Sequence, residues 1–249
     1  MKNNLNILAI IPARMGSTRF PGKPMKEING KPMIGHVYHN VMKNKLISEV
    51  IVATCDKEIF DYIKLIGGSP VMTSSDHERA SDRCSEALEY FEKNQNKVYD
   101  IVVMIQGDEP MINAEMIEEA LEPMLKSSEI IITNLIGRIE SQEEFNDPNC
   151  IKVVCDSNND ALFFSRKSIP TDSNFNDLCN GKQICVIPFR REFLIKYTKL
   201  KPTPLEQKES IDMLRVLEHG YKVRMVRTKH KSYAVDTEED LNKVKKLIR

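Results

Sequence analysis

The sequence has no excess of charge of either sign and no long apolar run. Lys and Arg total 36 against 36 Asp and Glu among 249 residues, so there is no global basic field that would attract a nucleic acid. No apolar run approaches the ~18 residues that a membrane-spanning helix needs, and the first residues have neither the apolar region nor the cleavage site of a signal peptide. We therefore expect a cytoplasmic protein that binds neither nucleic acid nor a membrane.

Several motifs of metal and cofactor sites are also missing. The six cysteines are dispersed without a C-x-x-C pair and the five histidines form no H-E-x-x-H, so we expect reduced thiols and no zinc centre. No G-x-G-x-x-G follows the first predicted strand, which argues against an NAD-dependent enzyme. Five residues rather than four separate Gly16 from Gly22, and Pro24 stands where a P-loop has Ser or Thr, so the P-loop motif does not fit either.

A loop rich in glycine, proline and hydroxyl residues follows the first predicted strand, Leu5 to Ile11. It interleaves the cations Arg14, Arg19 and Lys23 with small residues. Glycine lets backbone N–H groups approach an anion, and the cations neutralise its charge. Because open α/β sheets bind ligands at the carboxyl ends of their strands, this loop predicts a nucleoside triphosphate site. The alternative is a surface loop with scattered basic residues.

The alternation of apolar segments predicts an α/β fold, a doubly wound and mostly parallel sheet in a single domain over residues 1–249. The predicted strands cover residues 5–11, 49–54, 69–72, 100–105, 130–136, 151–155, 161–164, 221–227 and 232–235. The predicted helices cover residues 32–44, 57–66, 85–93, 113–126, 190–197, 205–219 and 237–249. The alternation loosens after residue 129. We expect residues 137–190, with a polar loop over 171–181, to form a small sub-lobe that covers the nucleotide site or pairs with another subunit.

Two aspartates follow apolar strands and are candidate metal ligands. Asp108 comes just after the strand over 100–105, at the sheet edge where the basic loop is also expected. Magnesium prefers one or two carboxylates together with phosphate oxygens and water. The alternative for Asp108 is a turn residue, and for Asp236 it is a residue that only helps to start a helix, because Thr237 and Asp240 have the spacing of a capping box.

Longer motifs extend along nearly the whole chain. They include P-A-R-x-x-S-T-R-x-P-G-K-P at residues 12–24, Q-G-D-E-P at 106–110 and P-T-P-L-E-Q at 202–207. With these motifs the sequence resembles the CMP-Kdo synthetases, the 3-deoxy-manno-octulosonate cytidylyltransferases. The first motif is shared with other sugar cytidylyltransferases, whereas the other two are more specific to this family.

The resemblance implies a Rossmann-like nucleotidyltransferase fold, a homodimer and a magnesium-dependent enzyme of lipopolysaccharide or capsule assembly. Such an enzyme transfers CMP from CTP to the anomeric hydroxyl of 3-deoxy-manno-octulosonate (Kdo) or a related 2-keto-3-deoxy sugar acid, and releases pyrophosphate. By resemblance, Arg14 and Lys23 hold the CTP phosphates, and Asp108 and Asp236 are the magnesium ligands. Catalysis would then rest on positioning and charge neutralisation, and no general base is identified. The other residues implied to bind substrate are Ser81 and Arg83 at the nucleotide, and Gln106, Arg166, Glu206 and Gln207 around the sugar.

The sequence departs from the family pattern in two places. Where the family reads H-x-S-G-T-D-R, residues 77–83 keep a hydroxyl and an arginine but lose the glycine and gain Arg79. Where it reads K-H-I-G-x-Y-x-Y, Gln183 replaces the histidine and Ile187 replaces a tyrosine. Polar pockets discriminate strongly between substrates that differ by a hydroxyl, so we expect a divergent sugar pocket. Two alternatives stay open: an acceptor such as a nine-carbon ulosonic acid, or a non-catalytic homologue that binds nucleotide.

Overall fold

A computed structural model describes residues 5–17, 19–170 and 180–248 of the chain. Its strands are β1 (Ile7–Ala13), β2 (Glu27–Ile28), β3 (Lys31–Pro32), β4 (Glu49–Thr54), β5 (Ser69–Met72), β6 (Ile101–Ile105), β7 (Thr133–Gly137), β8 (Lys152–Cys155), β9 (Ala161–Ser165), β10 (Asn180–Ile184), β11 (Val186–Arg190) and β12 (Arg224–Arg227). Its helices are α1 (Met33–Met42), α2 (Lys57–Leu65), α3 (Ala80–Gln95), α4 (Ala114–Lys126), α5 (Gln142–Asn146), α6 (Arg191–Thr198), α7 (Pro204–Glu209), α8 (Asp212–Glu218) and α9 (Glu238–Leu247), and a 3-10 turn covers Lys23–Met25.

The first sheet has five strands in the order β11-β6-β1-β4-β5, and all of them except β11 run parallel. Strand β1 is buried along its whole length. Its residues Leu8 and Ile10 pack in one apolar cluster with α3 and α6, and Ala9 and Ile11 pack in another with α1, α2 and α4. Successive side chains of a strand point to opposite faces, so helices cover both faces of this sheet. The predicted doubly wound, mostly parallel α/β fold is confirmed.

The carboxyl edge of this sheet brings two predicted site segments together. Strands β1 and β6 are parallel neighbours, with Ile10 opposite Met104. The segments that follow them, residues 14–24 and 106–110, therefore leave the sheet at the same edge. Proteins of the α/β class bind their ligands at this edge, where the loops that follow adjacent parallel strands lie side by side.

A second sheet of five strands, in the order β12-β7-β10-β8-β9, packs beside the first. Here β10 is antiparallel to both β7 and β8, and β12 is parallel to β7. Strands β8, β9 and β10 lie inside the range 137–190, whereas β12 and all of β7 except its last residue lie outside it. The chain passes from the second sheet to the first at Cys185, which lies between β10 and β11.

The predicted elements differ from the structure mainly in the second half of the chain. The helix predicted over 205–219 is two helices, α7 and α8, because Ser210 adopts a left-handed conformation (φ 54°) that ends α7. Strands β10 and β11 were not predicted, and the polar loop over 171–181 lies mostly outside the described residues. In the described chain no strand forms over 232–235. None of the described helices is both long and apolar enough to cross a membrane.

Candidate active site

A cleft of about 1090 Å³ opens between the carboxyl edge of the first sheet and the second sheet. Loop residues after β1 and β6, the segment before α3, the turn at 147–150, strands β10 and β11, and the segment before α9 contribute to its wall. Nine of the residues predicted from the sequence line it: Arg14, Lys23, Arg83, Gln106, Asp108, Arg166, Gln183, Ile187 and Asp236. Ser81, Glu206 and Gln207 do not.

Lys23 lies at the centre of an acidic cluster. Its Nζ donates to Asp108 Oδ2 at 2.6 Å, to Asp236 Oδ1 at 3.0 Å and to the carbonyl of Val235 at 3.2 Å. Burial alone would lower the pKa of Lys23, but the negative charges of the two carboxylates outweigh it and raise that pKa above its ordinary value. The lysine is therefore charged at neutral pH and serves as counter-ion to both aspartates.

Backbone contacts hold the two aspartates side by side. The N–H of Val235 donates to the carbonyl of Asp108 at 2.9 Å, which fixes the segment before α9 against the end of β6. Helix α9 is capped by Thr237, which forms a capping box with Asp240. The Asp236 carboxylate is thus not used in the cap. It faces Lys23 and the Arg19 guanidinium, whose Nη2 is 3.0 Å away.

This pair of carboxylates suits a hard cation that shares its coordination with a nucleotide. Asp108 and Asp236 reach the same ammonium group, so their oxygens lie close enough for one ion to contact both. In the part of the chain that the structure describes, no three His, Cys, Asp or Glu residues form a group that could hold a metal alone. A magnesium ion here would complete its coordination with phosphate oxygens and water, which is its usual arrangement in triphosphate sites.

The loop after β1 is shaped by one glycine that no other residue type would replace without strain. Gly22 has φ +72°, and its N–H donates to the carbonyl of Met15 at 2.9 Å. The loop thereby turns back and begins the 3-10 turn with Lys23 pointing to the aspartates. Arg14 is exposed at the wall of the cleft, and its Nη1 donates to the carbonyl of His77 at 3.4 Å.

The first turn of α3, which contains the predicted residues Ser81 and Arg83, meets the prediction only in part. Arg83 lines the cleft, but it is only 2% exposed and donates to the side chain of Thr73 and to the carbonyl of Ser74. Ser81 is fully buried and donates to Asp212 Oδ2 at 3.1 Å. The expected contact of Ser81 with the nucleotide is not available in this arrangement, because the first turn of α3 directs its hydroxyl inward.

The P-T-P-L-E-Q motif also differs from expectation. Glu206 is fully buried and forms a two-pronged ion pair with Arg215 at 2.6 and 2.7 Å, besides a capping box with Thr203. Gln207 is exposed, away from the cleft wall. In this structure neither residue lines the cleft, since the motif starts α7 and anchors it on α8.

Arg166 connects the end of α7 to the turn at 147–149. Its Nε donates to the carbonyl of Glu209 at 2.7 Å, its Nη1 to that of Pro148 at 2.9 Å and its Nη2 to that of Ser210 at 3.2 Å. A guanidinium has five N–H donors, so two more remain for a ligand at the cleft wall. The side chain is therefore held in place and still able to bind an anion.

Gln183, Cys185 and Ile187 occupy alternate positions where the chain passes between the sheets, and all three line the cleft. Ile187 is 2% exposed and presents an apolar surface. Beside them Glu109 accepts from the Ser232 hydroxyl at 2.7 Å and from the Cys185 N–H at 3.2 Å. Burial raises the pKa of Glu109 to about 7.

Sequence reasoning left two residues of this cleft out of the site. Arg19 was counted among the cations of the first loop, but its bonds to Asp236 and to Asn149 could not be read from the motif. Glu109 was taken only as the neighbour of Asp108. Its position in the Q-G-D-E-P motif was the available signal, because that segment leaves the sheet at the ligand-binding edge.

The chain is similar in sequence to proteins named 3-deoxy-manno-octulosonate cytidylyltransferase. A sequence profile of the cytidylyltransferase family matches residues 8–237. A protein of Geobacter metallireducens named 3-deoxy-manno-octulosonate cytidylyltransferase is 43% identical over 254 residues, which cover 96% of this chain and 96% of that protein. A protein of the same name from Fusobacterium nucleatum is 40% identical and covers 98% of both chains.

Solved structures agree with the sequence comparison. A CMP:2-keto-3-deoxy-manno-octonic acid synthetase, solved in complex with CTP, superimposes with a TM-score of 0.86 at 35% identity over 98% of both chains. A 4-diphosphocytidyl-2C-methyl-D-erythritol synthase from Anaerococcus prevotii superimposes with a TM-score of 0.64 at 14% identity, which shows a common fold alone.

Proposed function

The chain belongs to the cytidylyltransferase family, among its 3-deoxy-manno-octulosonate cytidylyltransferases, and on that premise we propose how its cleft carries out the reaction. The enzyme transfers CMP from CTP to the anomeric hydroxyl of a 2-keto-3-deoxy sugar acid and releases pyrophosphate. Two observations support this function. The chain aligns with its relatives over nearly their whole length, and in its cleft Lys23 of the cationic loop contacts two aspartates.

The chemistry forms one bond and breaks one at the α-phosphorus of CTP. The anomeric oxygen of the sugar attacks, and pyrophosphate leaves on the opposite side. Such transfers depend on positioning and on neutralising negative charge more than on a strong base. Arg14 and Lys23, on the loop after β1, are the side chains that would bind the phosphates in this orientation.

We propose that Asp108 and Asp236 are the magnesium ligands. A bound magnesium ion supplies positive charge to the phosphate oxygens as the transfer proceeds. Without nucleotide, Lys23 neutralises both carboxylates at 2.6 and 3.0 Å. A divalent cation held by Asp108 and Asp236 would supply the positive charge that Lys23 provides in the free protein, and the Lys23 ammonium would then be available to contact a phosphate.

The sugar acid needs a cationic partner for its carboxylate. Arg166 lines the cleft and keeps two N–H donors beyond its three bonds to backbone carbonyls. A guanidinium binds a carboxylate well through a pair of parallel N–H groups. We therefore propose Arg166 as the residue that binds the acceptor's carboxylate, with Gln106, Gln183 and Ile187 around the rest of the sugar.

The location and the oligomeric state of the enzyme are part of the proposal. The family that the chain resembles supplies CMP-sugars for lipopolysaccharide or capsule assembly. We propose a cytoplasmic homodimer that supplies such a donor. Analytical ultracentrifugation of the full chain is the direct measurement of the oligomeric state.

The function is tested by pyrophosphate release from the full chain with magnesium, one nucleoside triphosphate and one acid at a time. We expect release with CTP and Kdo or a related eight-carbon acid, and much less with ATP or GTP. Denatured protein and reactions without the acid are the controls. A nine-carbon ulosonic acid used best would reassign the acceptor. Binding of CTP without turnover of any acid would identify a non-catalytic homologue.

The two replaced residues of the pocket predict a measurable change in acceptor use. Gln183→His together with Ile187→Tyr restores the side chains that the family pattern has at these positions. A hydroxyl that bonds the sugar contributes about 0.5–1.5 kcal/mol, so kcat/KM for Kdo should rise roughly 2- to 12-fold in the double variant. Steady-state kinetics with Kdo in both proteins provide the comparison. Equal values would mean that the replacements are neutral toward Kdo.

A further inference from the structure

Beneath the sugar side of the cleft lies a buried amide that contacts Gln183. Asn134, on β7, is 0% exposed and is not itself at the cleft wall. The Nε2 of Gln183 donates to Asn134 Oδ1 at 2.6 Å. The side chain of Gln183 is therefore anchored on the strand below rather than free to rotate in the cleft.

The direction of this bond is fixed by the surroundings of Asn134. Its Nδ2 donates to the carbonyl of Ile184 at 2.7 Å and to that of Leu135 at 3.1 Å. Carbonyl oxygens only accept, so the nitrogen of Asn134 has to face them and its oxygen has to face Gln183. Reversing the Asn134 amide would set an oxygen against two carbonyls in a buried position, which is costly.

The consequence for the cleft is a fixed hydrogen-bond acceptor. The bond to Asn134 uses one of the two N–H groups of Nε2 and fixes the orientation of the amide. The Oε1 of Gln183 takes no donor from the described residues, and it is not among the buried atoms that lack a partner. It is thus accessible from the cleft that Gln183 lines. The adjacent Ile187 offers no polar group. This part of the wall presents an oxygen acceptor beside an apolar surface.

We propose that Asn134 is a positioning residue that fixes the polarity of the Gln183 amide, so that Gln183 Oε1 selects an acceptor sugar with a hydrogen-bond donor, a hydroxyl or an amino group, at the facing carbon. This inference rests on the proposed function and names the substrate feature that the site reads. An imidazole nitrogen could switch between donor and acceptor by exchanging its tautomer or gaining a proton, whereas the anchored amide keeps its oxygen, which only accepts, in one place.

The test compares sugar acids that differ by one group. For each hydroxyl of the best acid, the panel contains the deoxy analogue, the deoxyfluoro analogue, which keeps the size but cannot donate, and the amino analogue. At one carbon the wild type should lose roughly 3- to 10-fold in kcat/KM with the deoxy and fluoro analogues. Comparing hydroxyl with amino at that carbon identifies which donor is preferred. The substitution Gln183→Met removes the acceptor oxygen and keeps a similar side-chain length. In this variant the preference for acids with a donor at that carbon should disappear.

A positioning role of Asn134 and a purely structural role predict different effects of the substitution Asn134→Leu. Asn134→Leu should weaken discrimination at that one carbon, mainly through KM for the acid, while CTP binding measured by calorimetry is unchanged. In a Gln183→Met background it should have no further effect on discrimination. A merely structural role would instead lower the melting temperature and slow all acids equally in either background, which would overturn the positioning role.

A second variant keeps the inference testable if Asn134→Leu does not fold. Gln183→Glu retains acceptor oxygens but cannot donate to Asn134, so KM for the donor-bearing acid should rise. Unchanged or tighter use of that acid by this variant would contradict the fixed polarity. If no carbon distinguishes the wild type from Gln183→Met while pyrophosphate release continues, the inference fails and the proposed function stands. Absence of turnover with every acid would count against the function itself.

Discussion

Asp108→Asn and Asp236→Asn are each expected to lower kcat by roughly 100-fold or more, because a metal contributes several kcal/mol to stabilising the transferred phosphate and 1.36 kcal/mol is tenfold in rate. An amide keeps the shape of the side chain but carries no charge for magnesium. The melting temperature should change little, since both carboxylates lie at the wall of an open cleft. The magnesium concentration for half-maximal rate should rise in both variants.

The matched control for this prediction is Thr237→Ala. It removes the cap oxygen of α9 next to Asp236 and leaves both carboxylates in place. Loss of an N-cap costs about 1 kcal/mol, so this variant should melt earlier and turn over at a rate near wild type. If Asp236→Asn behaved like Thr237→Ala, with lower stability and retained turnover, Asp236 would be a residue of the helix start and not a metal ligand.

Lys23→Met is the second substitution expected to have a large effect. Removing a positioned donor from a developing oxyanion costs about 10²–10³ in kcat, and a charged donor on phosphate should fall in or above that range. KM for CTP should also rise, because part of the contact exists before the transfer. Lys26→Met is the control, since Lys26 lies exposed in the same segment and outside the cleft wall. Steady-state kinetics in CTP measure both quantities.

The Lys23→Met variant can also be tested by a measurement that does not depend on turnover. In the free protein Lys23 neutralises Asp108 and Asp236, so a divalent cation must compete with an ammonium group held at 2.6 and 3.0 Å. Lys23→Met removes the competitor and should tighten binding of manganese to the protein without nucleotide, as measured by electron paramagnetic resonance. Equal manganese affinity in wild type and variant would contradict the assignment of these carboxylates as the metal site.

The sequence allowed a correct prediction of the four parallel strands of the first sheet, helped by the nearly continuous apolar character of β1, β4 and β6, but not of the antiparallel strand β11. The adjacency of Lys23 and Asp108 followed from the rule that parallel strands end at one edge, and the structure places their atoms 2.6 Å apart. The positions of Glu206 and Ser81 could not be obtained in this way. Glu206 is buried by an ion pair with Arg215 on a different helix, and that pairing depends on how α7 packs against α8.

The contact between Asn134 and Gln183 could not be predicted from sequence patterns. The two residues are 49 positions apart, and they meet because β7 and β10 pair in a particular register. Periodicity marks the apolar positions of β7, but it does not distinguish an asparagine that supports a neighbouring side chain from one that bonds to solvent. Motif resemblance identified Gln183 as unusual, and only the geometry shows what holds it.

The passage of the chain between the two sheets has a consequence for how this enzyme could change acceptor over evolution. Gln183 belongs to the second sheet and Ile187 to the first, and Cys185 lies between the two strands. A small rotation of one sheet against the other would widen or narrow the distance between these two side chains. The edge formed by β1 and β6, which holds the nucleotide side, would keep its shape. The residues predicted to contact the acceptor are thus divided between two sheets, whereas Lys23 and Asp108 both follow strands of the first sheet.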